Sequence, residues 1–414
     1  MESNFNIDYG VSKLYDTKYT PKWSNDYMDA MRENIITADY IKEKSSCNIK
    51  RLKKKIHSDN NEITHIGDGA YATAYMIDHP DDPRYPDNVY VMKNTKYEHD
   101  DEIDMEDVNT NSEIKMIRML NNLIFEGITP HILLYIKHAR CTQCTKPSMR
   151  LITEVCKSNM EEFDSDNQKW PLLENIDIAI FQVLFTLDAI HTFYPAWRHN
   201  DLRHDNVFLD KTEKKDYYYH AYGNYYKINT NMFAKISDFG HSNCPGIVDN
   251  KLANPQEEYD WDPESFGMRP TKNQYYDMHT FLNSINCEYI DDDTSSLLDL
   301  EMECLIDEMI PEEYRTQFVV KNRRLKRKKN KNLENDCLIP DIELFTPKDA
   351  FRFFEHFKVN KEDIPEGEHI FSATPLSSDN NSLRSRSQSR SQTRSRSRSQ
   401  SRSRSSSPSY MEQD

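Results

Sequence analysis

The sequence predicts an α+β protein of two lobes, and three observations carry that prediction. Apolar and aromatic residues between Ile63 and Lys93 come in short runs broken by turn residues, as strands do. Across Ser112–Leu123 and again across Ile176–Thr192 the apolar pattern is that of helices. Strand-like segments come first and helical ones later, which separates a strand-rich part from a helix-rich one. The 414 residues allow two ordinary domains or one large one with extensions. Apolar residues make up 37% of the chain, low for a wholly globular one, yet they cluster between about Ile63 and Phe371, so a core can form there.

Four segments follow: an N-terminal extension 1–60, a small lobe 61–156, a larger lobe 157–371 and a tail 372–414. The extension is polar, has no sustained period beyond a helix expected around Ser24–Lys42, and ends in the basic run Lys50–Lys55. Tyr71, Tyr75 and Ile77 mark one strand; the proline-rich break His79–Asn88 follows, then a second strand at Val89–Met92. Ser112–Leu123 is predicted helical, with Ile114, Ile117, Met119 and Leu120 as its apolar stripe. Ile132–Ile136 and Met149–Val155 are expected as short buried strands, Ile176–Thr192 as a long apolar helix, and the part after Asp277 mostly as helix and loop. The tail has no aliphatic residue between Leu383 and Met411, so burial cannot offset its ordering entropy and disorder is expected.

Charge and composition exclude several classes. The net charge of −16 divides into about +6 for Leu383–Asp414 and −22 for residues 1–382, which hold 45 basic against 67 acidic side chains. An acidic body with a basic tail is no general nucleic-acid binder, and contacts with polyanions must be local. No run of eighteen apolar residues occurs, so no membrane span is predicted, and Met1–Asn6 lacks the basic start and apolar stretch of a secretory signal. Eight dispersed cysteines argue against a disulfide scaffold and for a reducing compartment.

Two of only nine glycines fall together in Ile66-Gly67-Asp68-Gly69-Ala70-Tyr71-Ala72-Thr73-Ala74-Tyr75, between strand-like segments. Such a turn lets main-chain amides approach a polyphosphate without Cβ interference, although a plain hairpin turn explains the pattern as well. Lys93 ends an apolar strand and Glu113 lies twenty residues on, in the predicted helix; a carboxylate is what fixes a phosphate-binding ammonium in place. His199-Asn200-Asp201-Leu202-Arg203-His204-Asp205-Asn206 forms a polar loop between a helix and an apolar strand. Its Asp201 and Asn206, five residues apart, suit a proton acceptor for an alcohol and an amide metal ligand. Ile236-Ser237-Asp238-Phe239-Gly240 adds a carboxylate directly after a strand, and Asn206 with Asp238 offers the oxygen ligands that Mg²⁺ favours.

In this order and spacing the motifs resemble the eukaryotic-type protein kinases, and among them the serine/threonine kinases of large cytoplasmic DNA viruses, iridoviruses in particular. The resemblance covers about Ile63–Phe371 and implies a bilobal kinase-like fold, a small mostly β N-lobe and a larger helical C-lobe. It implies an ATP site of Ile66, Gly67, Asp68, Gly69, Ala70, Tyr71, Ala72, Ala74, Lys93, Glu113, Glu154 and Cys156, with Mg²⁺ on Asn206 and Asp238. Asp201 is then the base and Arg203 a group near the γ-phosphate. Leu151–Cys156 resembles the strand entering the hinge with Thr153 as gatekeeper, Asp262-Pro263-Glu264 resembles Ala-Pro-Glu, and Tyr276–Phe281 resembles the start of the buried central helix of the large lobe. Protein substrates and an intracellular setting (host cytoplasm, virion or nucleus) are implied; oligomeric state is not.

Departures qualify the match. Asn200 replaces the arginine that grips a phosphorylated activation loop, which implies basal activity without that phosphate. Arg203 stands where serine/threonine kinases usually carry lysine, Ala72 replaces the third glycine, Ala74 replaces a valine, and Lys211–Met232 inserts a Tyr-rich stretch. Two other readings stand beside the kinase: a pseudokinase scaffold, and an RNA-associated protein acting through its Arg/Ser tail, against which the lack of an aromatic RNA-binding motif counts. Cys141-Thr142-Gln143-Cys144 has zinc-knuckle spacing without a second ligand pair and suits a hairpin better. The basic run Lys321–Lys331 suits a solvated loop, a nuclear-import signal or a polyanion contact. The tail serines beside arginines are phosphoacceptor candidates, and the tail is the expected contact for RNA or a protein partner.

Overall fold

The computed structural model describes residues 62–68, 72–78, 90–96, 109–141, 148–160, 175–250, 276–289, 300–310 and 345–374. All of them belong to one unit, Asn6–Thr374. The N-terminal extension, the Lys321–Lys331 run, Asp262–Glu264, Cys144 and the Arg/Ser tail from Pro375 lie outside the described residues.

The first sheet runs β1-β2-β3-β5-β4, every neighbouring pair antiparallel: β1 Glu62–Asp68, β2 Ala72–Asp78, β3 Tyr90–Lys96, β4 Tyr135–Cys141 and β5 Ser148–Thr153. Period-2 alternation sorts β3: Tyr90, Met92 and Asn94 are buried, while Val91, Lys93 and Thr95 are half-buried on the opposite face. The register sets Lys93 between Ala74 of β2 and Leu151 of β5. Cys141 pairs with Ser148 at the end of the β4–β5 ladder. Helix α1, Asn109–Phe125, carries the predicted apolar stripe, and among its described side chains only Lys115 is exposed. Gly127 ends it in the left-handed region (φ 69°), where its N–H donates to Ile124 O at 2.9 Å and that of Ile128 to Leu123 O at 2.8 Å.

The Tyr-rich insertion is the body of a long antiparallel hairpin, β7 Val207–Ala221 with β8 Asn224–Ile236; β6, Ser158–Asn159, pairs with the start of β7. Its two-residue turn has positive φ at both Tyr222 (51°) and Gly223 (78°), which matches strand twist. A left-handed tyrosine costs roughly 1–2 kcal/mol, and side-chain contacts hold it: its hydroxyl donates to Asp188 and its ring meets Phe351 at 5.5 Å.

The structure departs from the expected elements at two points. The strand expected at Ile132–Ile136 starts at Tyr135. Ile132–Leu134 instead bridges to the end of β8, with Leu133 N–H donating to Ile236 O at 3.0 Å. Nor do strands simply precede helices: the longest two, β7 and β8, follow α1, and the part after Asp277, mostly helix and loop as expected, adds two short strands. β9, Lys358–Val359, pairs antiparallel with β8, and β10, Ile370–Ser372, pairs parallel with β7. Local sequence could not reveal these, because two- or three-residue strands exist only where a partner edge accepts them.

Helix α2, Ile176–Phe193, is long and apolar enough to cross a membrane by length and composition, a property the sequence reading did not assign to it. Here its window is 83% buried inside the protein, which accounts for its lack of a polar face. Phe181 packs against Tyr219, Tyr226, Phe351 and Phe354, each ring centre at 5.3 Å. Gln182 serves the edge of β8: it donates to Met232 O at 3.1 Å and accepts from Ala234 N–H at 2.7 Å. Helices α3, Tyr276–Tyr289, and α4, Leu300–Met309, pack on one another, and their buried residues include Met278, Phe281, Leu282, Ile285, Leu305 and Ile306. Among the described residues Cys156, Cys244 and Cys304 are free thiols.

Asp188 of α2 gives a pH-dependent term. Burial pushes its carboxyl up to about 6 although Tyr222 donates to it. The folded pKa lies above the unfolded one, so this contribution is fully present below about pH 4 and is lost as pH rises through 6. Asp188→Asn is therefore expected to gain on the order of 2 kcal/mol at pH 7.5, roughly 5 °C in melting temperature. The gain should vanish near pH 4; thermal melts showing a pH-independent difference would refute the assignment.

Candidate active site

Lys93 projects from β3 and meets two carboxylates from distant parts of the chain. Its Nζ donates to Glu113 Oε1 of α1 at 2.8 Å and to Asp238 Oδ1 at 2.7 Å. Burial by itself would lower the lysine pKa, but the two carboxylates outweigh it and hold the ammonium above its ordinary range. Lys93 in turn holds the Asp238 carboxyl down at about 2. Burial pushes Glu113 up against the pull of the lysine. The sequence placed these three residues on separate elements; the sheet register and the packing of α1 against Phe239–His241 bring them together.

The two polar loops are tied to each other by named bonds. Ser237 N–H and Oγ donate to Asn206 O at 3.0 and 2.8 Å, and His199 Nε2 donates to Ser237 O at 2.8 Å. The His199 ring packs on Phe239, 5.4 Å between centres. Asn206 Nδ2 donates to Asp201 O at 2.7 Å, which leaves the amide oxygen of Asn206 directed away from that bond. Arg203 sits between two acids, Nε 3.4 Å from Asp201 Oδ1 and Nη2 2.9 Å from Asp205 Oδ2. Among the described residues three non-glycines have positive φ, and two of them, Asn200 (66°) and Asp238 (54°), lie on these loops. Asn and Asp tolerate that region best, so both residue types suit their backbone.

Asp277, at the start of α3, was named in the sequence only as part of a central helix. Its carboxylate accepts from His199 N–H at 2.6 Å and Asn200 N–H at 2.8 Å, and burial raises its pKa. Asn200, read as a missing arginine, donates from Nδ2 to His241 O at 2.9 Å and so clamps the segment after Gly240. No local pattern signals either role, because each partner lies 41 to 78 residues away.

The remaining candidates divide. Ile66 is 49% exposed at a register shift in β1. Gly67 has no positive φ, and a Cβ there would meet nothing within 4 Å, so the fold itself does not require glycine and leaves room for a close ligand. Asp68 is engaged within the β1–β2 pair, accepting from Thr73 Oγ1 at 2.7 Å and lying 3.0 Å from His65 Nε2. Ala72 and Ala74 are half-buried in β2; Gly69, Ala70 and Tyr71 lie outside the described residues. Glu154 is directed inward: Oε1 accepts from Leu134 N–H at 2.6 Å and Oε2 lies 2.5 Å from Lys235 Nζ. Lys235 also lies 3.2 Å from Asp210, and Cys156 borders this cluster with its thiol pushed well up by burial. The Glu154–Lys235–Asp210 triad escaped the sequence reading, since Lys235 falls in an otherwise apolar strand end and looks like a solvated residue.

A lysine held by a helix carboxylate and a strand-end aspartate thus lies beside a loop carrying Asp201 and Asn206, and the chain is similar over part of its length to two proteins described as kinases. A protein of Acanthamoeba polyphaga mimivirus named "Putative serine/threonine-protein kinase" is 27% identical over 246 residues, 50% of this chain and 52% of that protein. A second mimivirus protein of the same description is 35% identical over 86 residues, 20% of this chain and 21% of that protein. The chain thus spans about half the length of the first relative and a fifth of the second. No family model matches the chain. The relationship is kinase-like and distant, and the two relatives are mimivirus proteins, so a likeness to iridovirus kinases in particular is not shown.

Proposed function

We propose that the chain is a bilobal protein kinase that transfers the ATP γ-phosphate to serine or threonine hydroxyls. The observation that carries this is the Lys93 ammonium shared between Glu113 and Asp238. In this reading the first sheet with α1 is the small lobe, and the second sheet with α2 and α3 belongs to the large one. Bound ATP and Mg²⁺ supply the phosphoryl group and the neutralisation of its charge. The donors suit a hard cation: the low pKa of Asp238 keeps its carboxylate available, and the amide oxygen of Asn206 is left over by the bond to Asp201 O. Among the described residues no cluster of three His, Cys, Asp or Glu side chains offers a metal site independent of that pair.

Lys93, fixed by Glu113, orients the α- and β-phosphates. Asp201 accepts the proton of the substrate hydroxyl, and Arg203 keeps the Asp201 side chain turned by its 3.4 Å contact. In this reading Glu154 and Cys156 would contact the base through their main chains. For Glu154 that contact is its carbonyl, since its side chain is committed to Leu134 and Lys235 and its N–H donates to Leu134 O at 3.0 Å. The deciding experiment is transfer of radiolabelled phosphate to a generic protein by wild type and by Asp201→Asn. Wild-type transfer, reduced by at least about 100-fold in the variant, is expected; equal rates would remove Asp201 as the base.

A further inference from the structure

We propose that the C-terminal strand β10 and His369 are a brace for helix α1, and that His369 and Phe371 are positioning residues for Glu113. This rests on the kinase reading only for its effect on rate; the mechanical part stands on geometry alone. The segment from Phe345 to Thr374 grips the inserted hairpin from both edges. β9 pairs with β8 at Tyr225 and Tyr226, and β10 pairs with β7 at Tyr218, Tyr219 and His220. From there the chain reaches α1: His369 Nε2 donates to Gly127 O, the residue that ends the helix, at 2.9 Å. Buried Phe371 lies between the rings of His369 (4.8 Å), Tyr219 (5.4 Å) and His131 (6.5 Å).

His131 carries the connection to the site. It pairs through Nε2 with Tyr219 Oη at 3.0 Å and through Nδ1 with Ala234 O at 3.1 Å. Its own carbonyl accepts from Ile236 N–H at 3.1 Å, two residues before Asp238. The C-terminal strand, the hairpin and the strand leading to Asp238 thus meet around one buried histidine, four residues after the Gly127 that ends α1. A helix is a stiff rod, and Glu113 lies fourteen residues from Gly127, about 21 Å along the axis. A tilt of about 5° at the braced end would move Glu113 by roughly 2 Å, enough to break its 2.8 Å bond to Lys93. Asn121 also holds α1, donating to Leu133 O and accepting from Tyr135 N–H, so the brace limits tilt without being the sole anchor. With Asn200 where a loop-phosphate arginine would stand, an internal brace gives α1 a fixed position that needs no modification.

The test compares full-length wild type with His369→Ala and His369→Gln by hydrogen exchange along α1 and by steady-state phosphate transfer. His369→Ala is expected to raise exchange about tenfold across Asn122–Ile128 and measurably at Glu113–Ile117. It should lower kcat by about three- to tenfold with KM for a peptide unchanged, while melting within about 2 °C of wild type. His369→Gln, whose amide can donate to Gly127 O, should restore both. Unchanged exchange along α1 in His369→Ala overturns the brace whatever the transfer assay gives. Faster exchange with unchanged kcat overturns the positioning role. If wild type transfers no phosphate, the kinase reading falls and exchange alone decides the brace. A His369→Ala protein that melts far below wild type passes the same criteria to Phe371→Leu.

Discussion

Replacing Lys93 by methionine is expected to lower kcat for phosphate transfer by on the order of 10²–10³-fold, the scale set by removing one fixed charge donor from a transition state. The substitution keeps the length of the stem and removes only the ammonium that joins Glu113 to Asp238. Glu113, already pushed up by burial, can then take a proton, so the fold should lose little. The check is kcat and KM with a peptide substrate, beside a melting curve. Near-wild-type transfer with ordinary Mg²⁺ dependence would remove Lys93 from the nucleotide site. A loss of rate matched by a collapse in melting temperature would mean that its role is structural. Asp238 is the harder residue to isolate this way, because its left-handed backbone is part of the turn into Phe239–Gly240.

The largest effect on stability is expected at Lys235. Its ammonium lies 2.5 Å from Glu154 and 3.2 Å from Asp210, and all three side chains are nearly closed to solvent. Lys235→Met leaves two buried carboxylates without a counter-charge, a change that costs about 3–5 kcal/mol, or roughly 10 °C in melting temperature. The sign with pH follows from Glu154, whose pKa burial already raises against the pull of the lysine. Without Lys235 that pKa lies further above its unfolded value. The remaining stability is then present at low pH and lost as pH rises through the folded pKa. The deficit of Lys235→Met relative to wild type should therefore shrink from pH 7.5 toward pH 5. Melts that show a constant deficit, or less than about 1 kcal/mol at pH 7.5, would show that the triad is solvated and the charges uncoupled. Glu154→Gln combined with Lys235→Met should recover part of the loss, since the pair shares one interaction.

Much of the site was legible because its chemistry rests on short contiguous patterns. The Asp201–Asn206 spacing, Asp238 directly after a strand, and Lys93 on an apolar strand each follow from a few neighbouring residues. The helix holding Glu113 follows from a 3.6-residue apolar stripe, and its observed extent, Asn109–Phe125, needed no tertiary information beyond its ends. Glu154 shows the limit of that reasoning. Its place in the chain suggested a nucleotide contact, whereas its carboxylate is directed inward to Leu134 and Lys235.

By itself the sequence determined the mixed class, the apolar helix expected at Ile176–Thr192 and the residues able to do chemistry. These depend on period, turn residues and side-chain type, all of which are local. It did not determine the order of elements, since the two longest strands, β7 and β8, follow α1 and α2. Only the tertiary structure decided which charges meet and which segments support them. Lys93 and Asp238 are 145 residues apart, Lys235 and Glu154 81, and His369 and Gly127 242. It also decided that the Tyr-rich insertion is a hairpin, since its far half is flanked by β9 and β10 from the C-terminal segment. Asn200 and Asp277 gained their meaning in the same way. A side chain's residue type fixes what it can donate or accept, and the fold fixes the partner and whether water competes for it.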